Sequence, residues 1–128
     1  MQKNITYWIE LSDYDLETAE AMLKSKRFLY VGFMCHQTIE KIFKAYYTHV
    51  KNETAPFSHS LSFLAKKGEF YQLFSDSQKD FIDQIEPLNI EARYPSHKER
   101  VLKSLTEAKC IEIIQKTKEI QSWIKTKL

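Results

Sequence analysis

With only two Gly and three Pro among 128 residues, the chain has too few turn formers for a many-stranded fold. What remains is helical periodicity. From Tyr7 to Leu23 the apolar residues Trp8, Leu11, Leu16, Ala19, Met22 and Leu23 recur at steps of three to five, the stripe of an amphipathic helix over Thr6 to Ser25. A second segment, Leu29 to Val50, has no Pro and one Gly. Its apolar positions Phe33, Ile39, Ile42, Phe43, Tyr46 and Tyr47 wrap more of the circumference, and at about 1.5 Å per residue it spans about 30 Å. That length suits the spine of a bundle.

Shorter elements follow. Ala55-Pro56-Phe57 interrupts the pattern, and Ser58 is placed to cap a short helix carrying Leu61, Phe63 and Leu64. Gly68 fits the left-handed position that closes such a helix. Ser75 with Gln78 has capping-box spacing ahead of Phe81, Ile82 and Ile85. Pro87 then ends this helix or kinks it, with helical character resuming through Leu88 and Ile90 in the second case. Ser104 with Glu107 repeats the capping-box spacing before a long final helix carrying Ala108, Ile111, Ile114, Thr117, Ile120, Ile124 and Leu128. The reading is one all-α domain over residues 1–128, an up-and-down bundle of four to five helices.

Bulk charge names no partner, because 19 Lys and Arg against 17 Asp and Glu give a net +2. Only three of those 19 basic residues are Arg, which disfavours a dedicated duplex binder and leaves room for a local groove. Cys35 and Cys110 fall outside any CxxC spacing and read as buried thiols in a reducing compartment. The start, MQKNITYWIELSDYD, lacks a signal-peptide core, and no stretch approaches the apolar length that spans a bilayer. A cytoplasmic location is the expectation.

Walker, Rossmann, HExxH, EF-hand and nucleophile-elbow patterns are absent from the sequence, so no cofactor and no metal site is expected. Gln37, Glu40, Lys41 and Lys44 share one face of the second helix, as a solvated stripe or as a polar ridge lining a groove where lysines meet phosphate. His59 is either a capping or partly buried ring or a tuned site residue. Arg93 and His97 stand in the most turn-like segment, where an arginine fork could hold a phosphate and an imidazole move protons without a metal. Tyr7, Trp8, Tyr30, Phe33, Tyr46, Tyr47, Phe70, Tyr71 and Phe74 are core, a dimer seam or base-stacking platforms.

Taken together, Trp8 to Asp15 to Ala19, then Gln37-Thr38-Ile39-Glu40-Lys41-Ile42-Phe43-Lys44-Ala45, Ser58-His59-Ser60-Leu61 and Ala92-Arg93-Tyr94-Pro95 resemble the HEPN domain family across essentially the whole chain. The RYP triplet resembles that of stand-alone prokaryotic members. The resemblance implies a helical bundle that dimerises, is often paired with a minimal nucleotidyltransferase in a toxin–antitoxin-like system, and binds a nucleotide or RNA. It implies Arg93 and Tyr94 as pocket residues, joined by Gln37, Lys41 and His59. Its alternative implication is a metal-independent ribonuclease toxin with Arg93 and His97 as catalytic residues. Here those two enclose three residues, Tyr94, Pro95 and Ser96, where the ribonuclease pattern of the family has four to six.

Overall fold

The computed structural model describes residues 2–91 and 103–128. Arg93, Tyr94 and His97 lie outside the described residues. Within the described residues run six α-helices: α1 (Gln2–Lys24), α2 (Phe28–Lys51), α3 (Leu61–Lys67), α4 (Asp76–Ile85), α5 (Leu88–Glu91) and α6 (Glu107–Lys125), with a short 3₁₀ turn at Tyr71–Leu73 between α3 and α4. Among the described residues there is no strand, and no helix is long and apolar enough to cross a membrane.

The central member is α2, which packs along α1 and α6 and carries α3, α4 and α5 on its remaining surface. A tight turn joins α1 to α2. Lys26 adopts φ 60°, and the Arg27 N–H reaches back to the Met22 carbonyl at 2.8 Å, the closing bond of a Schellman motif. The two helices therefore run antiparallel, with Ser12 Oγ donating to the Thr38 carbonyl at 2.8 Å. Helix α6 runs the other way along α1, because Gln121 Nε2 reaches Asp13 Oδ1 at 3.0 Å and Lys118 meets Glu20 at 3.1 Å.

One side of α2 is apolar. Phe43 stacks on Phe74 and meets Phe70 edge-on, both at 5.4 Å between ring centres, and Phe74 continues to Trp123 of α6 at 5.4 Å. Tyr46 adds an edge contact to Phe70 at 4.9 Å. Such offset and T-shaped pairs add to the hydrophobic gain of burying large rings. Tyr46, Tyr47, Phe70 and Phe74 are thus core, while Tyr7 and Tyr30 are exposed. Cys35 and Cys110 are free and buried. Burial pushes the Cys35 thiol up to about 12, the neighbouring Thr117 hydroxyl opposing it only in part.

Three local expectations are corrected. Ser60, not Ser58, caps α3, accepting from the Phe63 N–H at 3.3 Å, while Ser58 Oγ accepts from the Ser60 N–H. Thr106, not Ser104, caps α6, accepting from the Lys109 N–H. Gly68 has a right-handed φ of −77°, and the left-handed residue is Glu69 at φ 63°. Gly68 serves a close approach instead: a Cβ there would stand 2.5 Å from Cε1 of Phe70. The Ser75–Gln78 capping box forms as the spacing predicts, and the chain turns helical again after Pro87, over Leu88–Glu91.

Candidate functional site

The side of α2 opposite the aromatic rings is polar and buried. His36, Gln37, Glu40, Lys41 and Lys44 project from successive turns, and Glu40 and Lys44 are only 1% and 7% exposed. The stripe is therefore interior. It is covered by α1 on one flank and by the α3, α4 and α5 segments on the other.

The side chains of this seam pair with one another. Glu40 Oε2 accepts from Lys44 Nζ at 3.1 Å, and its Oε1 pairs with His59 Nδ1 at 3.0 Å. Lys44 also stands 5.2 Å from the centre of the Trp8 ring, a cation–π contact on its other side. Lys41 Nζ donates to Gln37 Oε1 at 3.0 Å and to Asp15 Oδ2 of α1 at 3.3 Å. Burial pushes the Asp15 carboxyl above its ordinary value, and Lys41 only partly offsets that. Gln37 Nε2 donates to Asn89 Oδ1 at 3.0 Å and lies 3.4 Å from His36 Nδ1.

Glu86 ties the seam to α3. Its carboxylate accepts from the N–H groups of Leu61 and Ser62, from Ser60 Oγ, and from His36 Nε2 at 3.2 Å. It fills the first-turn amides of α3 from a distant part of the chain. Burial pushes this carboxyl up, but the bonds from His36 and the two backbone amides outweigh it and hold it below its ordinary value.

The seam opens at one place, a recess of about 260 Å³ lined by His59, Ser60, Glu86 and Asn89. The His59 side chain is 49% exposed there, whereas Asn89 is 6% exposed. Of the residues expected from the sequence, Gln37, Lys41 and His59 belong to two sets of bonds that meet on α2, where His36 Nδ1 stands 3.9 Å from Glu40 Oε1. Gln37 and Lys41 lie inside the seam and His59 at its mouth. Sequence reasoning misses His36, Glu86 and Asn89. His36 adjoins Gln37 on the same helix face, but Glu86 and Asn89 reach the seam through partners about 50 positions away, which no local pattern announces. Among the described residues no group of three or more His, Cys, Asp or Glu is placed to hold a metal ion.

A helical bundle built on a long hairpin, with a polar seam buried along its central helix, defines the class. The crystal structure of TT1696 from Thermus thermophilus shares this fold, with a TM-score of 0.80 over 97% of this chain and 98% of that chain at 17% identity. The family model of the HEPN domain matches residues 5–127, and the chain belongs to the HEPN family. No protein of curated function matches it.

Proposed function

We propose that this HEPN protein is of the stand-alone prokaryotic RYP type and acts as a single domain over residues 1–128, a homodimeric cytoplasmic module that binds a nucleotide or RNA and partners a minimal nucleotidyltransferase in a toxin–antitoxin-like pair. Arg93 and Tyr94 are its pocket residues, with Gln37, Lys41 and His59 supporting them. The observation that carries this reading is the buried seam. Placing Glu40, Lys44 and His36 in the interior costs desolvation that well-packed apolar residues would avoid, and the recess where the seam opens at His59 is also lined by Asn89, four positions before Arg93 in the sequence. Family membership supports the nucleotide or RNA ligand.

Titration of the purified chain with nucleotides and short RNAs tests the reading. Saturable binding weakened at least tenfold by Arg93→Ala is the expected result, with a dimer in sedimentation and co-purification with the product of a neighbouring nucleotidyltransferase frame. Incubation with RNA in EDTA supplies the contrary outcome. Cleavage that disappears in both Arg93→Ala and His97→Ala would replace the binding module with a ribonuclease in which Arg93 holds the scissile phosphate and His97 moves the proton.

A further inference from the structure

The mouth of the seam presents two atoms whose hydrogen-bonding sense is set from inside the bundle. Lys41 Nζ can only donate, so it holds the oxygen of Gln37 and leaves Gln37 Nε2 to donate to Asn89 Oδ1. Asn89 Nδ2 is thereby a donor without a partner among the described residues. On the other flank the Glu40 carboxylate can only accept, so the proton of a neutral His59 sits on Nδ1 and its Nε2 is an acceptor. Asn89 and His59 line the same recess. With the ring neutral, a donor and an acceptor therefore stand side by side in the recess, beside Ser60 and the Glu86 carboxylate.

We propose that this recess is a subsite for the uncharged edge of a nucleoside, base or ribose, whose donor meets His59 Nε2 and whose acceptor meets Asn89 Nδ2, with the phosphate of the same ligand lying outside it. The inference rests on the nucleotide- or RNA-binding reading above and goes beyond it by assigning the ends of the ligand. Three observations separate a neutral edge from a phosphate. Lys41 is engaged by Asp15 and Gln37, and Lys44 by Glu40 and Trp8, so neither cation is free to meet an anion. Glu86 itself lines the recess and already occupies the first amides of α3. An anion would face that carboxylate. Finally, about 260 Å³ is below the roughly 300–1,000 Å³ of sites that enclose a drug-sized ligand, and suits one ring.

Calorimetric titration of the full chain with the four ribonucleosides, their 2′-deoxy counterparts, the free bases and inorganic phosphate tests the assignment, alongside nucleoside monophosphates and a short RNA. The expected result is saturable binding of at least one nucleoside in competition with its monophosphate, weakened at least tenfold in His59→Ala and in the near-isosteric Asn89→Asp, and unchanged in Lys118→Ala on the far side of the bundle. Equal binding of the deoxynucleoside assigns the base edge, and its loss assigns the ribose; either supports the subsite. If monophosphate or RNA binds the native chain but both recess variants bind within twofold of it, the subsite is overturned and the broader reading stands. Competition by inorganic phosphate as strong as by nucleoside also overturns it. If no nucleoside, nucleotide or RNA binds the native chain, the broader reading fails and takes the subsite with it.

Discussion

On one side of α2, Phe43 and Tyr46 meet a cluster of rings from the rest of the chain, with Ile39 and Ile42 also buried; on the other, His36, Gln37, Glu40, Lys41 and Lys44 meet carboxylates, amides and an imidazole. Both sides are buried. The apolar side is held by area and shape, which are additive and tolerant of small changes in direction. The polar side is held by partners that satisfy one another atom by atom, so removal of any one leaves a buried group without its complement. A helix with the first kind of face alone would be a better scaffold. The second kind is what gives a surface recess a fixed pattern of donors and acceptors.

Breaking the apolar side gives the largest expected effect. Phe43→Ala removes a fully buried ring with aromatic neighbours on two sides and is expected to cost about 3–5 kcal/mol in urea unfolding. Breaking the polar side at its centre comes next. Glu40→Leu strands Lys44 in the interior and is expected to cost about 3 kcal/mol, whereas the double variant Glu40→Leu, Lys44→Met removes the whole pair and is expected to regain at least half of that loss. A double variant no more stable than the single one would show that the two sides of α2 obey the same rule.

At the edge of the seam the effect is smaller and depends on pH. Glu86→Gln is expected to cost about 1–2 kcal/mol near neutral pH, since donors of α3 and His36 lose a carboxylate acceptor. The Glu86 carboxyl in the native protein lies below its ordinary 4.5. Its contribution is therefore complete above pH 4.5 and is lost as pH falls through the lower folded-state value. Unfolding midpoints measured from about pH 7 to about pH 3 are expected to fall less steeply on the acid side in the variant. The smallest effect is at the surface: Lys118→Ala removes a half-exposed pair with Glu20 and is expected to change stability by no more than about 0.5 kcal/mol.

The helices are legible in the sequence because each buries a stripe whose period is a local property, as is the Ser75–Gln78 box, whose two members are three residues apart. The polar stripe of α2 is legible as a stripe but not as an interior one. Spacing tells which residues share a face and is silent about what covers it. The cover comes from Asp15, His59, Glu86 and Asn89, each at least 19 positions from its partner on α2. Gly68 is misread for a related reason. The usual argument for Gly at a helix end is a left-handed backbone, but here the space is needed by the Phe70 ring, and a Glu takes the left-handed turn.

The other glycine brings two distant parts of the chain onto one spot of α2. A Cβ on Gly32 would lie 2.8 Å from Leu88 Cδ1 and 3.4 Å from Leu105 Cδ1, so the chain departs from α5 and comes back ahead of α6 over a single notch in α2. Both anchors are buried. The core thus holds Leu88 and Leu105, which flank the stretch with Arg93 and His97 in the sequence, against one turn of the central helix.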